Sequence, residues 1–274
     1  MGNLNRAHKS SSVMSEPFSC QRGGLTIRGR VFRQGGGVRP AVIVCHGFIA
    51  NQRSVRHYAR FLAGLGWAAF TFDFCGGGLW GSSDGKQSEM SVLTEVDDLR
   101  AVIEYVKQRE DVDAGSLSLM GCSQGGVVCA LTATQMPGEI ERLILFYPAL
   151  CIPDDARRGR MLFARFDPEN VPPVVSRFPM KLSAGYVNAV KDMDIYDEIR
   201  GYEGPVLLVH GIKDRIVNIS YSRRAREVYK RCEYLEIEGG RHMFQRKHDR
   251  MAMEALEKFM TGRALEPAGC RPGP

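Results

Sequence analysis

The stretch LSLMGCSQGGVV (117–128) decides the fold, because in it a single hydroxyl stands between two apolar segments. Leu117–Met120 has the composition of a buried strand, and Val127 opens an apolar helical pattern. Ser123 lies between them in a G-x-S-x-G sequence, which between a strand and a helix is typical of a nucleophile held on a sharp turn. The flanking glycines leave room for the neighbouring strand and helix. We therefore predict that Ser123 is a catalytic nucleophile.

Cys122 is the second nucleophilic side chain of this turn, and a thiol is intrinsically the stronger nucleophile. A motif centred on Cys122 would need glycine at positions 120 and 124, which are occupied by Met120 and Gln124. The spacing therefore selects Ser123.

Strand and helix patterns alternate along most of the chain, which indicates an α/β fold. Continuous apolar runs are typical of strands that are covered on both faces. We predict a mostly parallel, twisted sheet with helices on both faces. The predicted strands are LTIRGRVF (25–32), AVIVC (41–45), WAAFTFDF (67–74), SLSLM (116–120), RLILFY (142–147), PVLLVHG (205–211) and EYLEIEG (233–239). The predicted helices are Val55–Leu65, Leu93–Arg109, Gly125–Gln135, Ser220–Lys230 and Arg250–Met260.

Residues 151–200 interrupt this alternation, because the next core strand does not begin until Pro205. The segment is rich in proline, aromatic and charged residues, and a structureless connection of such length is uncommon in a compact domain. We predict an inserted lid over the carboxyl edge of the sheet, where open α/β folds bind ligands. A long crossover connection is the alternative. The predicted organisation is a flexible N-terminal tail over residues 1–17 and one domain over residues 18–274, which contains the lid.

A serine nucleophile needs a histidine base and an orienting carboxylate, which in folds with this turn follow later strands in the order Ser, Asp, His. Asp214 comes just after the strand PVLLVHG, and His242 follows the last predicted strand. We predict Asp214 as the acid and His242 as the base. Asp73 is the alternative acid. His57 lies in a helical pattern and His210 at a strand end, where structural roles are expected.

The loop His46-Gly47-Phe48 follows the strand AVIVC and predicts the second half of an oxyanion hole. In this architecture the two donors are backbone N–H groups, one from the residue after the nucleophile and one from such a loop. We predict the amides of Gln124 and Phe48 in this role. His46 is expected to organise the loop.

These motifs together resemble the α/β-hydrolase superfamily over nearly the whole chain, and within it the sequence is most similar to the bacterial cinnamoyl (feruloyl) esterases. The closer resemblance is carried by HGF (46–48), CSQGG (122–126), PDDARRG (153–159), DIYDEIRGYEGPVLLVHGIKD (194–214) and GGRHMF (239–244). It implies an α/β-hydrolase fold with an inserted lid. It also implies a serine esterase that forms an acyl-enzyme on esters of hydroxycinnamic or other small aromatic acids. In such esterases lid groups bind the substrate's phenolic hydroxyl, and Asp155 and Tyr186 are the candidates here.

Several alternatives remain open at this point. The same catalytic groups serve other acyl transfers, so a serine peptidase or an acyl thioesterase is the second hypothesis. A non-catalytic ligand-binding protein of this fold is the hypothesis from a different class, and the complete set of nucleophile, acid and base argues against it. For the lid residues, Asp155 pairing with a neighbouring arginine and Tyr186 packing the lid are the alternatives.

Charge and hydropathy limit the partners. The 274-residue chain has a formal net charge of +6, all of which comes from residues 1–40. A basic arm that touches nucleic acid and a solvated tail both explain this, and we predict no nucleic-acid partner. No run of about 18 apolar residues is present, so no membrane span is predicted. The N-terminus lacks the apolar middle of a secretory signal.

The eight cysteines are scattered, and they form neither a C-x-x-C pair nor a zinc-like cluster with histidine. Thiols in apolar surroundings suit a reducing compartment, so a cytoplasmic location is predicted. We expect no metal and no cofactor. The predicted partner is a small-molecule ester substrate, and a homodimer is left open.

Overall fold

A computed structural model describes residues 12–263 of the chain. Its strands are β1 (Met14–Arg22), β2 (Leu25–Arg33), β3 (Arg39–Cys45), β4 (Ala68–Phe72), β5 (Val112–Cys122), β6 (Arg142–Phe146), β7 (Arg160–Met161), β8 (Ala164–Arg165), β9 (Val174–Ser176), β10 (Leu182–Ser183), β11 (Val206–Gly211) and β12 (Cys232–Ile237). Its α-helices are α1 (Arg56–Gly64), α2 (Val92–Lys107), α3 (Gln124–Gln135), α4 (Ile152–Arg157), α5 (Ala184–Asn188), α6 (Ile195–Ile199), α7 (Ser220–Val228) and α8 (Lys247–Met260). Short 3-10 turns cover Gln52–Val55 and Gln87–Glu89.

The core of the described chain is a sheet of eight strands in the order β1-β2-β4-β3-β5-β6-β11-β12. The β1–β2 and β2–β4 pairs are antiparallel, and the other neighbours are parallel. Side chains of α2 and α3 pack into the core on one face of the sheet, and those of α1 and α8 pack into the core on the other face. Every residue of β4 and β11 is buried, which explains their continuous apolar sequences. The predicted α/β class, with a mostly parallel sheet between two helical layers, is confirmed.

Each predicted strand and helix occurs within a few residues of its predicted ends, but strand β1 is an addition. It overlaps the end of the tail that we predicted over residues 1–17. The strand pairs with β2 along its whole length, and the Phe18 ring stacks on the Tyr105 ring with centroids 5.0 Å apart. Pro17 is compatible with this position because β1 is an edge strand. Ordered structure therefore starts before the predicted boundary, and residues 1–11 lie outside the described residues.

The first two strands also account for part of the positive charge. Arg22 pairs with Asp98 at 2.6 Å, and Arg28 pairs with Asp84 at 2.7 Å. These charges are therefore balanced within the domain.

No helix between residues 12 and 263 has the length and apolar character needed to cross a membrane.

Residues 151–200, called the inserted segment below, connect β6 to β11. They contain three short helices, α4 to α6, and two two-stranded sheets, β7-β8 and β9-β10. Two-stranded sheets of this size are not stable alone in water. Apolar side chains anchor the segment to the core that α2 and α3 share, among them Met180, Leu182, Tyr186 and Val187.

Candidate active site

The turn between β5 and α3 holds Ser123 in a strained conformation. Ser123 has φ 55° and ψ −120°, which a non-glycine residue adopts only where the surrounding structure enforces it. A Cβ atom at Gly125 would lie 2.7 Å from the carbonyl oxygen of Cys45, so only glycine allows α3 to approach β3 this closely. Strand and helix thus meet at a corner, and the serine stands at that corner.

Ser123, His242 and Asp214 form one hydrogen-bonded chain. The Ser123 hydroxyl lies 3.0 Å from Nε2 of His242, and Nδ1 of His242 lies 2.7 Å from Oδ2 of Asp214. Because Asp214 can only accept, Nδ1 of His242 carries the proton that it donates, and Nε2 is free to accept from the serine. The arrangement has the geometry that a nucleophile, a base and an orienting acid require.

The loops that carry Asp214 and His242 are packed backbone against backbone. A Cβ atom at Gly211 would lie 2.9 Å from Cα of Gly240, and the Lys213 amide donates to the Gly240 carbonyl at 2.8 Å. Close approach at these two glycines joins the ends of β11 and β12. The distance between acid and base is therefore fixed by the sheet rather than by flexible loops.

Asp214 is surrounded by hydrogen-bond donors. Oδ1 accepts from the amides of Ile216 (2.8 Å) and Val217 (3.0 Å), and Oδ2 accepts from His242 and from His210 at 3.1 Å. Burial alone would raise the pKa of Asp214, but the hydrogen bonds from His210, His242 and the Val217 amide outweigh it and hold the pKa well below its usual value. Asp214 is thus a stable carboxylate.

His210 contacts the predicted acid directly, which sequence reasoning missed. Its Nε2 lies 3.1 Å from both Asp214 Oδ2 and the Val217 carbonyl, so Nε2 carries a proton and donates. Its Nδ1 lies 2.6 Å from the Ser222 hydroxyl. The four-residue spacing from His210 to Asp214 was the available signal. The two histidines thus share Oδ2 of Asp214 as their acceptor.

Asp73, the alternative acid, forms hydrogen bonds to residues other than His242. Its Oδ1 accepts from the Gln52 amide at 2.7 Å, and its Oδ2 accepts from the Ser82 amide at 2.8 Å. Among the residues that the structure describes, Asp73 makes no hydrogen bond to His242. It therefore joins the 3-10 turn after β3 to the loop after β4.

His46 is fully buried beside Phe74. Its Nδ1 lies 2.9 Å from the Gly47 carbonyl, and its Nε2 accepts from the Phe74 amide at 3.3 Å. Burial lowers the pKa of His46, which favours the neutral ring that these bonds require. The contacts match the role of a loop organiser.

The backbone amides of Phe48 and Gln124 donate no hydrogen bond within residues 12–263. Gln124 is the first residue of α3, so its amide is one of the helix N-terminal donors that have no partner inside the helix. The loop with Phe48 passes beside the serine, since a Cβ atom at Gly47 would lie 3.0 Å from Ser123 Cβ. Two free donors thus flank Ser123.

The Gln124 side chain connects the site to the inserted segment. Its Oε1 accepts from the Tyr186 hydroxyl at 2.6 Å, and its Nε2 donates to the Glu95 carboxyl at 2.8 Å. Burial and the nearby Asp98 charge raise the pKa of Glu95 well above its usual value. Sequence reasoning also missed Glu95, although an acid within the apolar stripe of α2 was a visible signal.

A cavity of about 620 Å³ lies next to Ser123, between the carboxyl edge of the sheet and the inserted segment. This volume is typical of small-molecule sites. The candidate residues Asp155 and Tyr186 both line it, together with Phe48. Tyr186 is buried, and its ring lies 6.0 Å from the Phe48 ring. Ser123, Gln124 and Asp214 line the cavity as well, and His242 reaches it through its hydrogen bond to Ser123.

Asp155 does not make the arginine pair that was its alternative role. Asp154 pairs with Arg157 instead and also accepts from the Tyr221 hydroxyl at 2.8 Å. Asp155 is half-buried, and burial raises its pKa despite a hydrogen bond from Cys151 and the charges of nearby arginines. Its carboxyl group is thus available to the cavity.

The structure offers no evident metal centre in its described part. No group of three or more His, Cys, Asp or Glu side chains within residues 12–263 has the arrangement needed to hold a metal ion. The hydrogen-bonded chain at Ser123 is complete without one.

Known proteins with similar sequences and structures include several hydrolases. The chain is 26% identical over 239 residues to the monoacylglycerol lipase of Mycolicibacterium smegmatis, covering 78% of this chain and 84% of that protein. It is 27% identical over 233 residues to an uncharacterised Mycobacterium tuberculosis protein, covering 84% and 73% of the two chains. Its fold matches Est1E of Butyrivibrio proteoclasticus with bound ferulic acid at a TM-score of 0.84. That match has 29% identity and covers 90% of this chain and 98% of the other.

The sequence profile of one family spans half of the chain. It is described as serine aminopeptidase, S33, and it matches residues 36–175, from the loop before β3 to β9. The α/β-hydrolase fold, the nucleophile turn and this match agree. The chain therefore belongs to the S33 serine aminopeptidase family of α/β hydrolases and is a hydrolase.

Proposed function

We propose that this protein is a serine carboxylic ester hydrolase that acts through an acyl-enzyme. The preferred substrates are esters of hydroxycinnamic or other small aromatic acids. The observation that carries the proposal is the hydrogen-bonded chain from Ser123 through His242 to Asp214 at the wall of a cavity of small-molecule size.

In the first half-reaction the Ser123 oxygen attacks the ester carbonyl carbon, and its proton passes to Nε2 of His242. Asp214 holds the resulting imidazolium through its bond to Nδ1. The carbonyl oxygen becomes an oxyanion, which the amides of Phe48 and Gln124 stabilise. When the intermediate collapses, His242 returns the proton to the departing alkoxide, and an alcohol leaves.

In the second half-reaction a water molecule attacks the acyl-enzyme, and His242 takes one of its protons. The same two amides stabilise the second oxyanion. Collapse releases the carboxylic acid, and His242 gives its proton back to the Ser123 oxygen. The serine and the histidine then have their original protonation states.

The aromatic preference is supported by the walls of the cavity and by the likeness to Est1E. The rings of Phe48 and Tyr186 border the cavity, and flat apolar walls suit an aromatic acyl group. Est1E, whose structure is similar, was seen with ferulic acid bound. We propose that the inserted segment acts as a lid over this acyl group.

We assign Asp155 and Tyr186 to the phenolic hydroxyl of the substrate. An unpaired hydroxyl in an apolar pocket costs about 1–3 kcal/mol. The phenolic hydroxyl donates one hydrogen bond, which either the Asp155 carboxyl or the Tyr186 oxygen can accept, because Tyr186 donates its own proton to Gln124.

Two other hydrolytic functions use the same machinery. The family description favours a peptidase, and the similarity to a monoacylglycerol lipase favours esters of longer acyl chains. An acyl thioesterase is chemically equivalent at the serine. A ligand-binding protein without activity would have no use for the strained serine beside two free amides.

A hydrolysis panel tests the proposal directly. It compares hydroxycinnamate esters, unsubstituted cinnamates, short and long alkyl esters, acyl thioesters and aminoacyl anilides. We expect the highest kcat/KM for the hydroxycinnamate esters and labelling of Ser123 by a fluorophosphonate probe. Labelling with a preference for anilides or long acyl chains would replace the proposed substrate class, and absence of labelling would reject a serine hydrolase mechanism.

A further inference from the structure

Three arginines line the same cavity at its outer part: Arg158, Arg160 and Arg215. All three are exposed. Arg158 is partly engaged, because it lies 3.9 Å from Asp154. Within residues 12–263 the side chains of Arg160 and Arg215 take part in no ion pair and no hydrogen bond. Arg215 thus carries an unpaired charge in this part of the chain, and the Arg160 charge acts on the nearby Asp155 carboxyl without a close ion pair.

The carboxyl groups of the cavity do not balance these charges. Asp214 has a fully buried side chain that already accepts from His210, His242 and two amides. The charges of Arg160 and Arg158 act on Asp155, but this single carboxyl group cannot balance three guanidinium groups. The outer cavity consequently has an excess of positive charge, which attracts anions.

Apolar and cationic side chains occupy different depths of the cavity. Ile152, Met161 and Leu182 are 7%, 6% and 3% exposed, whereas Phe163 is 79% exposed. The deep part therefore has apolar walls, and the part that opens to solvent carries the arginines beside exposed apolar side chains such as Phe163. A ligand that fits both parts is amphipathic, with an apolar group inside and an anionic group outside.

We propose that the leaving group of the substrate carries a carboxylate or a phosphate, which Arg160 and Arg215 bind at the cavity mouth. This inference rests on the proposed esterase function and refines it. During turnover the acyl group stays bound to Ser123 while the leaving group departs, so the leaving group occupies the open side. Guanidinium groups bind carboxylate and phosphate with paired N–H donors.

Matched pairs of cinnamoyl substrates test the proposal. One pair is the ester of a hydroxycarboxylic acid and the ester of the corresponding hydroxycarboxamide. The other pair is the thioester of a phosphorylated thiol and that of the same thiol without phosphate. We expect kcat/KM to be about tenfold higher for the anionic member of at least one pair, because two exposed ion pairs each contribute up to about fivefold. The preference should decrease with ionic strength, since 0.1 M salt screens charges over about 10 Å.

Charge-removing variants locate the effect. Arg160→Gln and Arg215→Gln should each lower kcat/KM for the anionic substrate by about 2- to 5-fold and leave the neutral substrate unchanged. Arg165→Gln is the control, because Arg165 lies opposite Arg160 in the β7–β8 pair and does not line the cavity. Equal kcat/KM within both pairs, or an equal loss in the Arg165 variant, would overturn the proposal.

A binding measurement separates this inference from the esterase function. Non-hydrolysable amide analogues of the first pair are titrated into the Ser123→Ala variant by calorimetry, with and without Arg160→Gln. Tighter binding of the anionic analogue, lost in the double variant, would support the cationic mouth even if no ester were hydrolysed. Hydrolysis of both esters without a preference, together with equal binding of both analogues, would support the esterase function. It would reject the binding of an anionic leaving group by Arg160 and Arg215.

Discussion

The two walls of the active-site cavity are built in different ways. The sheet edge holds its side chains by short hydrogen bonds and by backbone contacts between glycine-containing loops, as at Gly211 and Gly240. The inserted segment consists of short helices and two-stranded pairs, and its outer side chains, such as Phe163, are exposed. One wall is therefore part of the sheet, and the other is packed onto it.

This difference follows from what each wall has to do. Proton transfer needs heavy atoms about 3 Å apart, so the chemistry depends on groups that a rigid core positions. Substrate preference depends on the shape and charge of the inserted segment. Its side chains can be changed without moving Ser123. Removing the groups of the sheet wall that take part in proton transfer should therefore affect all substrates, and removing groups from the inserted segment should affect only some.

The largest effect is expected for Ser123→Ala. Loss of the nucleophile should reduce kcat by about 10⁵- to 10⁶-fold for every ester, and His242→Ala should lose nearly as much, because the two act as a unit. Steady-state hydrolysis of a neutral aryl ester measures this, with circular dichroism to show that the fold is retained. A variant that kept a hundredth of the activity would mean that another nucleophile carries the reaction.

A second prediction compares two buried aspartates at the sheet edge. Asp214→Asn should reduce kcat by about 10⁴-fold, since an amide at this position favours the wrong tautomer of His242. Asp73→Asn should leave kcat within about tenfold, because Asp73 binds Gln52 and Ser82 rather than the histidine. The same assay measures both, and the reverse ranking would assign the acid to Asp73.

The pH dependence of kcat/KM gives a third prediction. The hydrogen bonds to Asp214 hold its pKa below the usual carboxyl range, so this group stays ionised above about pH 4. His242 must be neutral to accept the serine proton. We therefore expect kcat/KM to rise about tenfold per pH unit on the acid side and then to level off, as expected for a single deprotonation. A slope of two, or a flat profile, would contradict this assignment.

The sequence was sufficient to predict the sheet wall. Apolar runs located the parallel strands, and Ser123, Asp214 and His242 each follow such a strand, so their convergence at the carboxyl edge was expected. The contacts of His210 and Glu95 were not expected. From sequence alone a polar residue in an apolar pattern is interpreted as structural, because its hydrogen-bond partner is not known. The partner of Glu95, Gln124, lies on another helix, and that of His210, Asp214, lies four residues further along in the loop after β11.

The inserted segment was predicted as a unit but not in its details. Its strands have only two or three residues, which is too short for an alternation pattern to be recognised. Strand β1 was missed for a related reason, since Pro17 interrupts its pattern and an edge strand needs only one apolar face. Local pattern is informative where a strand is long and buried.

A smaller, substrate-dependent effect is expected in the inserted segment. Asp155→Ala should lower kcat/KM for hydroxycinnamate esters by about tenfold, the equivalent of about 1.4 kcal/mol for a lost buried partner, and spare unhydroxylated cinnamates. Asp155→Asn still offers an oxygen acceptor and serves as the matched control. Equal losses on both substrates would assign Asp155 to folding of the segment.

Tyr186→Phe should lower kcat/KM for more substrates than Asp155→Ala, because Tyr186 lies in the inserted segment and also bonds to the sheet wall. Its hydroxyl donates to the side chain of Gln124. The backbone amide of the same residue is one of the proposed oxyanion donors. We expect a loss of a few fold for every ester in addition to the loss of phenol discrimination. Kinetics on a short alkyl ester detect the general part, and an unchanged alkyl ester rate would limit Tyr186 to substrate binding.

The last prediction concerns stability rather than turnover, and its subject is Glu95, which supports the junction of the two walls through Gln124. Burial raises the pKa of Glu95 in the folded protein. Below the unfolded pKa, about 4.5, both states hold the proton; as pH rises, the unfolded state releases it first. The free energy of unfolding then decreases by at most about 1.4 kcal/mol per pH unit until the folded pKa is reached.

Glu95→Gln should remove this decrease, whereas Glu104→Gln on the exposed side of α2 should retain it. Denaturant unfolding at several pH values measures the difference, and parallel curves for wild type and Glu95→Gln would show that Glu95 is ionised at the junction.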